Sequence, residues 1–170
     1  MRIFGITGHS GMGKTTLLER LIPELRSRGL SVSLLKHSHK DIEIDRPGKD
    51  SYRLREAGCS EVLLLGRDRW ALMHELREER EPTLDELLRH LTPVDLLLAE
   101  GFKQGDFPRL EVWRPALLRS PLWPATPGIC AVASDSPAPD GVEPPRQWLD
   151  LRDIAAIADC VLAEAQPRAA

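Results

Sequence analysis

The stretch that most constrains this chain is GHSGMGKTT at residues 8–16, which directly follows the short apolar run IFGIT. Gly8, Gly13, Lys14 and Thr15 satisfy the spacing G-x-x-x-x-G-K-[ST]. In this spacing the glycines let the backbone curl until successive N–H groups point inward, and the following helix adds its positive N-terminal end. The pattern therefore predicts a phosphate-binding loop between a strand and a helix.

The residues on either side of the loop carry the patterns of a strand and a helix. Apolar side chains recur at helical spacing across residues 15–28, and Gly29 provides a stop signal. The apolar positions of this predicted helix are Leu17, Leu18, Leu21, Ile22 and Leu25. Residues 31–37, SVSLLKH, predict the next strand, so the economical topology is a right-handed parallel strand–helix–strand unit.

The rest of the chain alternates predicted strands with predicted helices. Helices are expected at residues 49–57, from the N-cap Thr83 with Glu86 at the capping-box position to about Leu91, and at 151–165. Strands are expected at residues 61–65, 70–75, 94–100, 109–114 and 128–134, and the prolines between 137 and 145 predict a loop. The alternation predicts an α/β, three-layer P-loop NTPase fold with a mostly parallel central sheet.

Length and composition exclude several classes of protein. A chain of 170 residues suits one domain, residues 1–170, and its net charge of −3 supplies no basic field for nucleic acid. Cys59, Cys130 and Cys160 form neither a disulfide framework nor a zinc motif, so we expect small core residues in a reducing cytosol. No apolar run has the length of a signal-peptide core or a membrane span. We therefore expect a cytoplasmic location and no membrane partner.

The loop pattern assigns chemistry to individual side chains. Lys14 is expected to reach the β- and γ-phosphates of a nucleotide, and the Thr15 hydroxyl to bind Mg²⁺. Thr16, in the first turn of the helix, is expected to meet the α-phosphate through its hydroxyl or N–H. A glycine-rich turn with an exposed lysine is the alternative, but the flanking strand and helix favour a nucleotide site. The predicted nucleotide-binding segment consists of Gly8, His9, Ser10, Gly11, Met12, Gly13, Lys14, Thr15 and Thr16.

A second Mg²⁺ ligand is expected because this ion takes oxygen ligands in octahedral geometry. Glu100 ends the apolar run VDLLLAE and is followed by Gly101. Its carboxylate is expected at the C-terminal edge of the sheet, where open α/β folds bind ligands. We predict that Glu100 is this ligand; the alternative is an ordinary acidic residue at a strand end.

The polar loop after the second strand carries His37, His39, Asp41 and Asp45. A histidine in this loop could contact a phosphate or a second substrate. An aspartate could hold Mg²⁺ through a water molecule or orient an attacking water. These four form a possible switch or substrate loop; the alternative is that each is a solvated loop residue. The remaining histidines, at positions 74 and 90, have no such neighbours and are expected to be structural or surface residues.

The base of the nucleotide is less constrained than its phosphates. The guanine signature Asn/Thr-Lys-x-Asp is absent, but a late strand ends in AVASD with Ser134 and Asp135. An aspartate at this place suits guanine, because it can accept from both N1–H and N2–H₂, a pair of donors that adenine lacks. A Ser-Asp pair is also a common way to open a turn, and both interpretations stay open.

Several segments, which include the loop and extend well beyond it, resemble those of one family. They are, in order, GHSGMGKTTLLERLIPELRSRGLSVSLLKHSHKD, DRPGKDSYRLREAG, RWALM, LLLAEGFK and AVASD. Together they resemble molybdopterin-guanine dinucleotide biosynthesis protein B, the MobB family, and the resemblance extends over residues 3–135. The resemblance implies a GTP-binding protein with weak, Mg²⁺-dependent GTPase activity and a role in bacterial molybdenum cofactor maturation. It also implies an accessory role beside the guanylyltransferase that attaches GMP to molybdopterin, so the expected partners are that enzyme, molybdopterin or its dinucleotide, and a second copy in a homodimer.

The family pattern is carried over onto the matching residues. The phosphate loop is Gly8 to Thr16, Glu100 is the strand-end acid with Gly101 beside it, and Ser134 and Asp135 lie nearest the base. KHSHKD supplies Lys36, His37, His39 and Asp41, while His9 and Met12 occupy variable loop positions without expected chemistry.

Catalysis and assembly leave alternatives open. No glutamine is clearly placed to orient water and no arginine finger is visible in the motifs, so slow hydrolysis is expected; Arg53, Arg55 or a partner's arginine remain possible. The strand LEVWR, ending near Trp113, is either a subunit-pairing strand or an internal one. A small-molecule kinase and a metal-delivery GTPase are the alternative functions.

Overall fold

The computed structural model describes residues 1–38, 42–102, 105–140 and 147–168. They form two compact units. The sheet unit comprises Met1–His37 and Leu88–Ala170, and the hairpin unit comprises Ser38–Leu87. Two residues of the predicted ligand loop, His39 and Asp41, lie outside the described residues.

The sheet unit is built on a mostly parallel β-sheet. Its elements are β1 (Arg2–Thr7), α1 (Lys14–Ser27), β2 (Val32–Lys36), β5 (Leu96–Glu100), β6 (Arg109–Trp113), β7 (Ile129–Ser134), β8 (Gln147–Asp150), α4 (Ile154–Glu164) and β9 (Gln166–Pro167). The strand order is β2-β5-β1-β6-β7-β8, and every neighbouring pair on this path is parallel. The short β9 pairs antiparallel with the start of β1. The α/β prediction with a mostly parallel sheet is confirmed.

The three central strands of this sheet lie in the core. All residues of β5 and β6, and all but the first of β1, are buried. This explains their apolar runs, because a central parallel strand is covered on both faces. α1 contributes Leu17, Leu18, Leu21 and Leu25 to the same core, and α4 contributes Ile157, Ala158 and Val161.

The structure fixes the places of two predicted strands that the sequence left open. β5 lies between β1 and β2, so the first strand–helix–strand unit is parallel but its strands are not neighbours. β6, the strand LEVWR, pairs with β1 on one side and β7 on the other. Because both of its edges are hydrogen-bonded within the chain, β6 is internal, and pairing between subunits through this strand is ruled out.

Three tryptophans pack together beside β6. The rings of Trp113, Trp123 and Trp148 meet edge to face, with centroids 5.3–6.1 Å apart. The buried Glu111 carboxylate ties down the segment that carries Trp123, because it accepts hydrogen bonds from the backbone N–H groups of Leu122 and Trp123 at 2.9–3.0 Å. Burial raises the pKa of Glu111. This cluster supports the end of β6.

The hairpin unit contains α2 (Asp50–Glu56), β3 (Glu61–Leu65) and β4 (Trp70–His74), and α3 (Leu84–Leu88) begins in it. β3 and β4 pair antiparallel, with Leu65 opposite Trp70. Those two side chains are 80% and 63% exposed. Thr83 and Glu86 form the expected capping box, since the Glu86 carboxylate accepts from Thr83 N at 2.8 Å and the Thr83 hydroxyl accepts from Glu86 N at 3.3 Å.

The three cysteines have different environments. Cys160 is buried and Cys130 is half-buried, but Cys59 is exposed. The core prediction is therefore wrong for Cys59, which follows α2, a helix without a buried residue. Within the described ranges, no helix is long and apolar enough to cross a membrane.

Candidate nucleotide-binding site

The loop between β1 and α1 depends on glycine at a place of close backbone approach. Gly8, Gly11 and Gly13 have φ angles of +131°, +84° and +95°. A Cβ at Gly8 would stand 2.4 Å from the Val112 carbonyl oxygen of β6, whereas one at Gly11 would meet nothing within 4 Å. The loop therefore passes over β6 so closely that Gly8 has no room for a side chain.

The N-terminus of α1 opens onto this loop. Gly13 is the N-cap in a left-handed conformation, no side chain accepts a cap hydrogen bond there, and the first turn has no acidic residue. The first intrahelical bond runs from Leu17 N to the Gly13 carbonyl at 2.9 Å. The N–H groups of Lys14, Thr15 and Thr16 precede that bond, as expected for a helix start. Together with the helix dipole they form an anion-binding end.

Lys14 folds back across the loop. Its Nζ donates to the carbonyl oxygens of Gly8 at 2.8 Å and His9 at 3.1 Å. Burial lowers the pKa of Lys14, the charge of Glu100 opposes that shift, and the charge of Lys36 adds to it. The ammonium group is thus held at the mouth of the loop by two backbone oxygens.

Glu100 lies at the end of β5, beside the loop. It is opposite Ile6 of β1 and opposite Lys36 of β2. The residue is only 6% exposed, and its carboxylate Oε2 lies 3.2 Å from Lys36 Nζ. Glu100 is therefore a buried acid that is paired with Lys36 and lies close enough to Lys14 to raise the pKa of that lysine.

Gly101 brings the end of β2 against the end of β5. Its φ angle is +84°, and a Cβ at this position would stand 2.5 Å from the His37 carbonyl oxygen. His37 N donates to the Glu100 carbonyl at 2.8 Å, and the His37 ring lies 5.2 Å from the ring of Phe102. The predicted residues His37, Glu100 and Gly101 are thus brought together at one edge of the sheet.

The donor atoms at this edge suit Mg²⁺. Thr15 offers an exposed hydroxyl oxygen, and Glu100 offers a carboxylate. Hydroxyl and carboxylate oxygens are hard ligands of the kind Mg²⁺ takes, together with water and phosphate oxygens. The predicted pair therefore fits the ion by its chemistry.

The other side of the loop carries Asp135 and an arginine that the sequence analysis did not single out. Asp135 Oδ2 lies 3.7 Å from Arg114 Nε. The Arg114 Nη2 in turn lies 3.3 Å from the position that a Cβ of Gly13 would occupy. The buried Ser134 hydroxyl accepts a hydrogen bond from Ser136 N at 3.2 Å, which fixes the turn after β7. The available signal for Arg114 was its place directly after a strand, like that of Asp135.

The remaining loop residues have structural contacts or face solvent. The Met12 side chain is fully buried in the core, and His9 Nε2 donates to the Ser120 carbonyl at 3.0 Å. Ser10, Gly11, Thr15 and Thr16 are exposed. Met12 therefore anchors the loop while its tip stays open to a ligand.

The other predicted polar residues fall in the hairpin unit or on the surface. Asp45 forms an ion pair with Arg55 at 3.2 Å, and Arg55 also pairs with Glu75 at 3.0 Å. His74 hydrogen-bonds to Glu61 and Glu79, which raise its pKa, and His90 is exposed. Structural and surface positions fit the expectation for both histidines.

The chain matches the model of a known protein family over most of its length. A family model described as "Molybdopterin guanine dinucleotide synthesis protein B", MobB, matches residues 3–135. The chain belongs to the MobB family. This confirms the resemblance found in the sequence, over the same residues.

Individual MobB relatives cover nearly the whole chain. A molybdopterin-guanine dinucleotide biosynthesis adapter protein of Haemophilus influenzae is 44% identical over 161 residues, covering 94% of this chain and 86% of the relative. Its Escherichia coli namesake is 40% identical over 156 residues, covering 90% and 87%. A crystal structure of molybdopterin-guanine biosynthesis protein B (mobB) matches with a TM-score of 0.72 and 29% identity, covering 95% of this chain and 98% of that one.

Proposed function

We propose that this MobB-family protein is a GTP-binding adapter in the synthesis of molybdopterin guanine dinucleotide, with Mg²⁺ as its cofactor and at most slow GTPase activity. The observation that carries the proposal is the open N-terminus of α1 behind the glycine loop, with the Lys14 ammonium held over it. This arrangement presents backbone N–H groups and the Lys14 ammonium to an anion. The first turn of α1 has no acidic residue that would repel the anion. A nucleotide's β- and γ-phosphates suit this arrangement.

Mg²⁺ is proposed to bind between Thr15 and Glu100. When bound, it would neutralise charge on the phosphate oxygens. Glu100 is nearly buried and paired with Lys36, so a divalent ion would compete with that lysine for the carboxylate. The Glu100 carboxylate would then hold the ion on the β5 side of the loop.

The guanine is proposed to lie at the other side, against Asp135. In the sheet order β5-β1-β6-β7, the two strands β1 and β6 lie between the strand of Glu100 and the strand that Asp135 follows. Asp135, at the end of β7, is two strand spacings from β1, roughly 10 Å. A nucleotide lying along this edge would have its metal-bound phosphates near β5 and its base near β7. Asp135 would accept from the two N–H donors on guanine.

Binding rather than rapid turnover is proposed to be the function of this site. Arg55, one of the arginines considered for a catalytic role, is held by Asp45 and Glu75 in the hairpin unit. Arg114 lies on the base side of the loop, away from the β5 edge proposed for the γ-phosphate. Slow hydrolysis, or hydrolysis stimulated by a partner's side chain, fits this placement.

The partners proposed are the guanylyltransferase, molybdopterin or its dinucleotide, and a second copy of the chain. The hairpin β3–β4 supports a homodimer, because Leu63, Leu65 and Trp70 are exposed along it. Large exposed apolar patches mark interaction surfaces more often than isolated apolar residues do. The mass of the protein in solution tests this point. A single domain and a cytoplasmic location stay predictions.

The test is calorimetric titration of the purified protein with GTP and with ATP, each with Mg²⁺. We expect GTP to bind at least about tenfold more tightly, because only guanine has the donor pair for Asp135. Asp135→Asn should move the preference towards xanthosine triphosphate, whose 2-carbonyl accepts from the new amide. Equal affinity for GTP and ATP would contradict the role of Asp135.

The adapter role needs its own measurement. Adding the protein with GTP to the guanylyltransferase and molybdopterin should increase formation of the dinucleotide. Phosphate transfer from ATP to a small alcohol would instead indicate a kinase and contradict the adapter role. A matched reaction with Lys14→Ala controls for effects that do not need nucleotide.

A further inference from the structure

We propose that Arg114 binds the α-phosphate of the nucleotide, and that its weak ion pair with Asp135 in the free protein is exchanged for this phosphate when guanine binds to Asp135. The inference rests on the proposed GTP site and adds a residue that links its phosphate side to its base side. Arg114 lies between the two, within 4 Å of both the Gly13 position and Asp135.

The backbone at Arg114 has a defined place in the fold. The residue follows Trp113, the last residue of β6, and precedes a short 3₁₀ helix at Pro115–Leu117. Its backbone is extended, with φ −132° and ψ 113°, as expected before a proline. The Arg114 carbonyl accepts from Leu117 N at 3.2 Å. Arg114 thus starts from the central strand next to β1, at the same edge as the glycine loop.

The guanidinium lies against the start of α1. The Nη2, Cζ and Nε atoms of Arg114 are 3.3, 3.6 and 3.8 Å from the position that a Cβ of Gly13 would occupy. A cation is unfavourable at a helix N-terminus, because the dipole there is positive. An anion bound between Arg114 and α1 would remove that repulsion. The glycine at position 13 leaves the space that the guanidinium occupies.

The contact with Asp135 is weak enough to be exchanged. The Nε–Oδ2 distance of 3.7 Å exceeds that of a hydrogen bond, and the two side chains are 38% and 43% exposed. Ion pairs with this exposure contribute little to stability. Among the described residues, Arg114 Nε has no hydrogen-bond partner although the atom is buried. A phosphate oxygen would supply the acceptor that this N–H lacks.

The order of the strands indicates which phosphate Arg114 meets. With the metal on the β5 side and the base on the β7 side, the part of the nucleotide over β6 is the α-phosphate with the ribose. A guanidinium suits a phosphate through parallel N–H donors, whereas a sugar offers no charge. Thr16, at the first turn of α1, faces the same group from the helix side in the proposed site. Guanine binding to Asp135 therefore frees the cation where it is needed.

The test compares nucleotide affinities of Arg114→Gln and Arg114→Lys with the wild-type chain. We expect Arg114→Gln to weaken GTP and GDP by the same factor, at least about tenfold, because both carry the α-phosphate. Arg114→Lys should lie between, since it keeps the charge and loses the fork of donors. The matched control is Arg26→Gln. Arg26 is an exposed arginine in the last turn of α1, so its replacement should leave both affinities unchanged.

Other outcomes would overturn the proposal. Unchanged GTP affinity in Arg114→Gln contradicts it, and a loss confined to GTP would assign Arg114 to the γ-phosphate instead. Thermal unfolding of each variant checks that the fold is kept, and Arg114→Lys supplies the measurement if the glutamine variant does not fold. If the wild-type chain binds no nucleotide, the proposed function fails. If the wild-type chain binds GTP and Arg114→Gln binds it equally well, the proposed function stands and only the role of Arg114 fails.

Discussion

The two long helices of the sheet unit, α1 and α4, begin in opposite ways. α4 is closed by its own chain, because the Asp153 carboxylate accepts a hydrogen bond from Ala156 N at 3.0 Å. α1 begins at Gly13, an N-cap residue that has no side chain to accept from the N–H groups. The same backbone chemistry thus serves stability in α4 and is left available to a ligand in α1. The start of α1 therefore lacks the local stabilisation that a side-chain cap gives to α4, and its N–H groups are the ones proposed to bind an anion.

Gly8→Ala should break the open end of α1 most severely. The added Cβ would stand 2.4 Å from the Val112 carbonyl oxygen at a φ of +131°, so the loop backbone must move away from β6. We expect no measurable GTP binding by calorimetry and a strain of about 1–3 kcal/mol in the free energy of unfolding. Gly11→Ala is the matched control, because it also places an alanine at a positive φ, +84°, but its Cβ meets nothing within 4 Å. If both variants bind GTP equally, the close approach is unimportant.

Lys14→Ala should weaken the anion site while leaving the glycines of the loop in place. It removes the cation that donates to the carbonyl oxygens of Gly8 and His9. We expect GTP affinity to fall roughly tenfold to a hundredfold, the value of one or two charge-assisted hydrogen bonds. Calorimetric titration measures the change. An unchanged dissociation constant would mean that Lys14 does not meet the phosphates.

Asp153→Ala tests the closed end of α4. Loss of an N-cap side chain costs about 1 kcal/mol, which lowers the melting temperature by roughly 2–4 °C in a chain of this size. We expect GTP affinity to stay at the wild-type value, in contrast to the loop variants. Asp153→Asn keeps an acceptor for Ala156 N and should restore most of the stability. Weaker GTP binding by Asp153→Ala would contradict the view that the start of α4 serves stability alone.

The smallest effect concerns α3, whose start is closed by a capping box. A hydrogen bond from Arg80, then those from Thr83, lower the pKa of Glu86 to about 2. Because this pKa is below the unfolded value, the contribution of Glu86 is present above about pH 4.5 and is lost as the pH falls towards 2. Thermal unfolding followed from pH 6 to roughly pH 2 should show this loss in the wild type. A Glu86→Gln chain with the same pH dependence would exclude it.

Local patterns predicted most of the secondary structure. β3 has the predicted bounds, Glu61–Leu65, and the ends of most other elements lie within three residues of those expected. β8 (Gln147–Asp150) was missed because it is only four residues long, comes directly after a proline-rich stretch and gains its strand form by pairing with β7. β9 is likewise defined by its contact with β1. Such strands depend on tertiary pairing that no short window contains.

The candidate site divides in the same way. Gly8, Lys14 and Glu100 follow from motif spacing and from the rule that parallel strands end at one edge. Arg114 does not, because its place beside Gly13 depends on β6 being the neighbour of β1. Sequence patterns indicated that a strand was present at LEVWR but not its position in the sheet. Strand order therefore carried the information that was missing.

The tryptophan cluster gives this chain a built-in optical reporter. Trp113, Trp123 and Trp148 lie in mutual contact, and Trp113 immediately precedes Arg114. The fourth tryptophan, Trp70, is exposed on the hairpin. The fluorescence of the protein is therefore expected to have a blue component from the sheet unit and a red-shifted one from the hairpin unit. A ligand at the glycine loop should perturb the first, and a protein that covers the hairpin should perturb the second.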